Sequence, residues 1–380
     1  MLLSRFDPAA FLRDHWQKTP LLIRNPWNDW RNPLEPDELA GLSCEEEVES
    51  RLITRTASGL AMENGPMAED RFGDLTGSWT LLVQAVDHHA PAVAALIDPF
   101  RFVPDWRIDD VMVSYATDGG GVGPHYDQYD VFLVQGLGQR RWRVGRRCTA
   151  DTPLLPHDDL RLIADFEATG DWVLEPGDIL YVPPGFAHDG IAVGDDCMTY
   201  SIGFRAPSRA ELIEGWCEHQ VESLVEDDRY ADADLTPQTN PGEIAPASID
   251  RLHAMMLDAL SDRQVFACWF GLSNSLPKYA DADWRPEEAM DIDDLQALLA
   301  QGVTLLRNPA SRFAFIRGDD GAITLFVDGN AFDCAGDSAT LAERICATRV
   351  ALTLDPALSG PSLALLAALI DLGFLAFDEE

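Results

Sequence analysis

Gly119-Gly-Gly-Val-Gly-Pro-His125-Tyr-Asp127-Gln-Tyr-Asp-Val-Phe-Leu-Val-Gln135 and, further on, Glu175-Pro-Gly177-Asp178-Ile-Leu-Tyr-Val-Pro183-Pro184-Gly185-Phe-Ala-His188 are the stretches that decide the architecture. Each couples glycine and proline turns to a short apolar run rich in β-branched and aromatic residues. Side chains two apart on a strand share a face, so His125 and Asp127 are expected to project together into a barrel interior. His188 ends the second strand.

Working outward, β-prone segments at 111–115, 131–135 and 141–144 are punctuated by glycines at 119–121, 123, 136 and 138, and a second group follows at 172–174, 179–182 and 198–204. Several short strands with such turns predict a sandwich or barrel. Ahead of them, residues 6–25 read as a helix capped at Asp7-Pro8 that feeds a strand at 21–23. The period changes near 207: Ser208 and Glu211 stand at capping-box spacing, and Leu212, Trp216, Val221 and Leu224 recur at helical intervals. An acidic, proline-bearing loop at 227–246 precedes a second amphipathic helix through Ile249, Leu252, Met255, Met256 and Leu260. From 286 to 380 the pattern is a helix at 292–299, a strand at 304–307, a hairpin of 313–317 and 323–327, and helices near 338–350 and 362–372, which suits a winged-helix-like unit. Three parts follow: 1–206, 207–285 and 286–380.

The charge excludes some ligands. Sixty-four acidic residues face 28 basic ones, for a formal net charge of −36, and Lys18 and Lys278 are the only lysines. From residue 207 onward 31 acidic residues meet 11 basic ones, a net −20. Nucleic-acid binding neutralises phosphates with clustered Lys and Arg, so a direct nucleic-acid partner is not expected, even for a winged helix. The acidity permits a basic protein to be steered in, and serves equally as a solubility adaptation. Seven scattered cysteines with no C-x-x-C imply neither a disulfide framework nor a zinc knuckle. With no signal-peptide pattern and no run of eighteen apolar residues, a cytoplasmic protein without a membrane partner is expected.

Two imidazole nitrogens and one carboxylate oxygen leave three positions open on one side of an octahedral ion, the facial arrangement of non-haem Fe(II) oxygenases. An H-x-D alone is a common coincidence; paired with a distant G-x5-P-x-G-x2-H block it is not. Gly119-x5-His125-x-Asp127 and Gly177-x5-Pro183-x-Gly185-x2-His188 resemble the two motifs of the cupin superfamily, with the triad of its JmjC-type 2-oxoglutarate oxygenases. Trp106-Arg-Ile-Asp-Asp-Val-Met, Arg140-Arg-Trp-Arg-Val-Gly145 and Tyr200-Ser-Ile-Gly-Phe-Arg-Ala-Pro207 resemble one branch, the bacterial ribosomal oxygenases. The resemblance runs over essentially the whole chain, with its specific motifs in residues 100–207.

That resemblance implies an α+β protein: a double-stranded β-helix (cupin/JmjC jelly-roll) core, a helical dimerisation segment and a C-terminal winged-helix-like domain that does not bind DNA. It implies an Fe(II)- and 2-oxoglutarate-dependent dioxygenase that consumes O2, releases succinate and CO2, and hydroxylates an arginine side chain of a basic large-subunit ribosomal protein. A homodimer is implied as well. His125, Asp127 and His188 would be the metal ligands, Arg140 would meet the distal carboxylate of 2-oxoglutarate, and Ser201 would lie near the cosubstrate. An Arg fork suits a carboxylate through two parallel charge-assisted hydrogen bonds, although parity across 136–138 does not choose among Arg140, Arg141 and Arg143. A guanidinium substrate calls for a carboxylate and an aromatic wall, for which Asp118, Tyr115 and Tyr129 are the candidates. A lysine demethylase of the same fold would share every metal ligand, and a non-catalytic cupin scaffold would keep the fold with a vestigial triad.

Overall fold

The computed structural model describes residues 2–57, 59–157, 160–279, 284–349 and 351–378. They form two compact units: residues 1–206, 278–311 and 344–380 make the first, and 207–277 with 312–343 the second.

In the first unit, α1 (Pro8–Asp14) is capped by the Asp7 carboxylate, which accepts from the N–H groups of Ala9 and Ala10, and leads to β1 (Leu21–Ile23). After α2 (Pro36–Leu42) come β2 (Ser50–Thr56), β3 (Gly59–Asn64) and β4 (Trp79–Val83), then α3 (Pro91–Ala94) and β5 (Ile108–Ala116). Four strands complete the core: β6 (Asp130–Arg147), β7 (Ala168–Leu174), β8 (Ile179–Val182) and β9 (Phe186–Phe204). The order is β1-β8-β6-β9-β5-β4-β2-β3, with β7 also on β6, and every pairing is antiparallel. This is the cupin/JmjC jelly-roll. The sequence reading finds no strand between 50 and 83, because β2 to β4 owe their extension to pairing outward from β5 rather than to a strong pattern of their own.

The two segments expected at 131–135 and 141–144 are one strand. Residues 131–137 of β6 pair with 198–203 of β9, and 139–147 pair with 186–193, with register shifts at Gln135/Leu137 and Leu137/Gln139. Gly138 sits at this irregularity with φ +57°, and a Cβ there would lie 2.6 Å from the Asp196 carbonyl oxygen, so a side chain is excluded both by conformation and by space. The shift reverses the facing of the strand. Before it, Val131 and Leu133 point inward; after it, Trp142 and Val144 do, and all four pack with Leu174, Leu180 and Val182 in one cluster. Phe132, Val134, Tyr181, Tyr200, Ile202 and Phe204 fill the other face, against Phe11, Leu39, Leu96 and Phe100.

Asp87 is buried beneath β5, where its Oδ1 accepts from the Val111 N–H at 2.8 Å. Burial, reinforced by the charge of Asp110 and opposed by the Val111 N–H, pushes its pKa up to about 7. An unfolded aspartate titrates near ~4, so between these values the folded chain holds a proton that the unfolded chain has released, and its stabilising effect is lost as pH rises toward 7. Asp87→Asn keeps the acceptor and removes the ionisation. Thermal melts should show a gain of about 1–3 kcal/mol at pH 8 and little at pH 4; equal shifts at both pH values would contradict the buried-acid account.

The second unit begins with α4 (Arg209–Ser223), whose capping box pairs Ser208 with Glu211 as its spacing predicted. After the irregular stretch through 227–245 come α5 (Pro246–Leu260) and α6 (Arg263–Asn274), the latter unforeseen from the sequence. Trp216 Nε1 donates to the Leu260 carbonyl at 3.2 Å, and its ring packs edge-on against Phe266 and tilted against Trp269. Ile213, Val221, Leu224, Ile249, Leu252 and Met256 remain exposed on α4, its end and α5.

Beyond them, α7 (Ile292–Ala300) and β10 (Thr304–Arg307) belong to the first unit. The expected hairpin is a three-stranded meander of β11 (Phe313–Arg317), β12 (Ile323–Val327) and β13 (Asn330–Cys334) in the second. The chain continues through α8 (Asp337–Ala347), β14 (Ala351–Thr353), α9 (Gly360–Asp371) and β15 (Leu375–Phe377). Val350, the expected end of the helix near 338, lies outside the described residues. Among the described residues no helix is long and apolar enough to cross a membrane.

Candidate active site

The H-x-D segment is not a ladder strand as expected. Residues 121–129 are irregular except for one antiparallel bridge, in which the His125 N–H donates to the His188 carbonyl at 3.0 Å and the His188 N–H to that of His125 at 2.8 Å. Pro124 has no N–H to continue a ladder, and its carbonyl accepts from the Ile163 N–H at 2.8 Å. The Gly185 N–H reaches the Asp127 carbonyl at 2.6 Å. The two motifs are thus tied to each other through their backbones.

Both imidazoles place Nδ1 at their own chain: His125 Nδ1 is 2.9 Å from the Gly123 carbonyl oxygen and His188 Nδ1 is 3.0 Å from that of Phe186. A carbonyl can only accept, so Nδ1 is the donor in both rings, which leaves Nε2 of each turned to the cluster. Asp127 Oδ2 lies 3.8 Å from His125 Nε2 and 3.5 Å from His188 Nε2, and the three atoms fall within 4.8 Å of one another. Ligands at right angles about 2.1 Å from a common ion stand roughly 3 Å apart, so a small contraction closes the set. Burial, helped by the neighbouring His125, pushes the His188 pKa down to about 4, so its imidazole is neutral at pH 7. Among the described residues this is the one His/Cys/Asp/Glu group able to hold a metal ion.

Register places Arg140, Trp142 and Val144 of β6 opposite Ala192, Gly190 and His188 of β9. Arg140 therefore lies on the triad's face, four residues or about 13 Å along the strand at ~3.3 Å per residue. It is 4% exposed, yet its one hydrogen bond is a long 3.4 Å contact to Ser114 Oγ, its Nε has no partner, and no carboxylate pairs with it among the described residues. Its neighbours face outward: Arg141 pairs with Asp171 and Arg143 with Asp189. A buried guanidinium lacking an anion is costly unless an anionic ligand completes it. Ser201 pairs with Met112 of β5 and Leu133 of β6, on the same inner face.

Of the expected substrate residues, one approaches the triad. Tyr129 is 43% exposed as a whole, and desolvation of its hydroxyl together with the adjacent Asp127 carboxylate raises its pKa. Asp118 is exposed and accepts from the Gly194 N–H at 2.7 Å, which ties its loop to β9. Tyr115 falls on the opposite face of β5 from Ser114, with its hydroxyl 2.6 Å from Asp196 Oδ1. The structure does not bring these two to the cluster.

Sequence reasoning missed three inner-face residues. Ser114 meets Arg140. Trp142 lies so closely on Gly190 that a Cβ there would stand 2.6 Å from its ring, and its ring centroid is 5.9 Å from that of His188. Asp110, 3% exposed, accepts at Oδ2 from Gln84 Nε2, the Ala85 N–H and Lys278 Nζ at 2.8, 3.0 and 2.7 Å, while no donor among the described residues reaches Oδ1. A Cβ on Gly203, two residues past Ser201, would be 3.9 Å from that Oδ1, so the free oxygen faces the inner side. Period-two alternation from Met112 was the available signal for Ser114; none reached Asp110, because the β5–β9 register shifts between Ile108 and Val111.

Two families match the chain: the JmjC domain over residues 95–212 and the ROXA-like winged helix over 258–376, which starts within the segment read as 207–285. A protein of Escherichia coli (strain K12) named ribosomal protein uL16 3-hydroxylase is 42% identical over 373 residues, 97% of each chain. The chain belongs to the JmjC ribosomal oxygenases. A probable ribosomal oxygenase of Haemophilus influenzae is 40% identical over 71% of this chain and 68% of its own. The structure of YcfD, a ribosomal oxygenase from Escherichia coli, in complex with cobalt and 2-oxoglutarate matches with a TM-score of 0.87 and 38% identity over 99% of both chains. As a JmjC ribosomal oxygenase the protein is an Fe(II)- and 2-oxoglutarate-dependent dioxygenase. Its residues fit that chemistry: two imidazoles and a carboxylate suit a divalent metal, and a buried guanidinium with no carboxylate partner among the described residues suits a dicarboxylate.

Proposed function

We propose that this oxygenase hydroxylates an arginine side chain of a basic large-subunit ribosomal protein, uL16, in the cytoplasm. Identity to the uL16 3-hydroxylase over nearly the full length supports the target. The observation that carries the cationic side chain is the buried Asp110 carboxylate, whose free Oδ1 faces the inner side of the sheet. A guanidinium taken there would have the Tyr129 ring as its aromatic wall.

In this reading His125, Asp127 and His188 hold the metal through Nε2, a carboxylate oxygen and Nε2. Arg140, with Ser114 and Ser201, holds the distal carboxylate of 2-oxoglutarate. Iron and its cosubstrates supply, when bound, the oxidising power that places one oxygen of O2 in a C–H bond and releases succinate and CO2. The protein's part is positional. The carbonyls of Gly123 and Phe186 fix both imidazole tautomers, Trp142 and Val144 wall the site with apolar surface, and Asp110 sets the target side chain in register. The apolar residues left exposed on α4 and α5 suit a homodimer, with 207–285 as the dimerising segment and 286–380 as the winged-helix-like part.

The test is incubation of the full chain with iron(II), 2-oxoglutarate and purified uL16, followed by peptide mass analysis. The expected product gains one oxygen on an arginine. Loss of methylene mass from a methylated lysine would favour the demethylase reading, and unmodified uL16 beside succinate formation on another protein would remove this target.

A further inference from the structure

One of the chain's two lysines stands on the carboxylate that the arginine reading uses. Lys278 Nζ lies 2.7 Å from Asp110 Oδ2 and 3.3 Å from Asp109 Oδ2, and its side chain is 18% exposed. Burial alone would favour the neutral amine, but the two carboxylates outweigh it and raise the Lys278 pKa, so the ammonium is charged. The neighbouring Tyr279 anchors the segment by donating its hydroxyl to Glu49 at 3.1 Å. Asp110 would keep its position without this cation, since Gln84 Nε2 and the Ala85 N–H already hold Oδ2. An ammonium that the fold does not need to satisfy Asp110 changes instead what Asp110 offers at its other oxygen.

We propose that Lys278 is a specificity-determining residue: a resident cation that partly neutralises Asp110 and so lowers the enzyme's affinity for the cationic side chain of its substrate. The proposal rests on the arginine reading above. A guanidinium on Oδ1 would stand roughly 7 Å from the ammonium on Oδ2, and at an effective dielectric of ~20 two unit charges at that distance repel by an amount worth up to roughly fiftyfold in binding. Solvent screening brings the expected effect to about tenfold. The consequence for turnover is release: a site in which no resident ammonium stood on Asp110 would retain a product that is as cationic as the substrate.

The test uses full-length enzyme loaded with cobalt(II) and 2-oxoglutarate, which binds without turning over, and a labelled uL16 peptide carrying the target arginine. Lys278→Gln keeps a hydrogen-bond donor for Asp110 and removes the charge; Lys278→Met is the second neutral variant should the first fold poorly. Neutral variants should bind the arginine peptide about tenfold more tightly, Lys278→Arg should match the parent, and a peptide with citrulline in place of arginine should bind all of them alike. Arginine-peptide affinity that is unchanged or weaker in the neutral variants, with the parent enzyme hydroxylating that peptide, overturns the role of Lys278 alone. A parent enzyme that neither binds nor hydroxylates the peptide overturns the arginine reading and this inference with it.

Discussion

Asp127→Ala should lower kcat/KM for hydroxylation by roughly a thousandfold or more, the largest effect expected of any single change in the chain. The carboxylate is the only anionic member of the three-atom set, at 3.5 and 3.8 Å from the two imidazole nitrogens. Without it, two imidazole nitrogens remain, and a hard divalent cation prefers oxygen. The backbone tie that the fold uses, the Asp127 carbonyl accepting from the Gly185 N–H, survives the substitution. Anaerobic titration with iron(II) and 2-oxoglutarate should lose the visible charge-transfer band seen with the parent enzyme. Full product formation in the variant would remove the proposed metal site.

The second large effect concerns Arg140, whose substitution should move stability and ligand affinity in opposite directions. In the unliganded chain its guanidinium is 4% exposed, with an orphaned Nε and one long hydrogen bond. Replacing a buried, poorly paired charge by an apolar side chain of similar length is commonly stabilising by about 1–4 kcal/mol. Arg140→Met should therefore raise the melting temperature of the unliganded enzyme. The same change removes the counter-charge of a buried carboxylate, a loss of about 2–5 kcal/mol, so 2-oxoglutarate should bind the cobalt-loaded variant some hundredfold more weakly or worse. Arg140→Lys restores the charge but not the two-pronged geometry and should recover little of the affinity. Calorimetric titration with 2-oxoglutarate beside thermal melts reads both halves; unchanged affinity would sink the cosubstrate role whatever the melt shows.

Much of the molecule was legible before any coordinates. The capping box at Ser208 and Glu211, most strands of the barrel core and the meander's first two strands follow from local spacing, because each is specified by residues close in the chain, whereas the His125, Asp127 and His188 set was legible only through the resemblance of two distant motifs. The strands at 50–83 and the helix α6 were not, since their conformation is imposed by partners rather than by their own pattern.

The substrate residues divide in the same way. Asp118 sits beside the glycine-rich loop and is conspicuous for that reason, but it ties that loop to β9 at Gly194. Asp110 carries no local mark, and its importance comes from Gln84, Ala85, Gly203 and Lys278, all distant in sequence. Arg140 stands between the two cases. Its run with Arg141 and Arg143 is plain to see, yet which arginine turns inward depends on the register shifts around Gly138. Periodicity carries facing along an unbroken strand, and a bulge resets it by one residue. The candidate metal cluster was written in two short motifs; which arginine turns to its face of the sheet, and that Asp110 presents an oxygen to that side, came only with the pairing of strands.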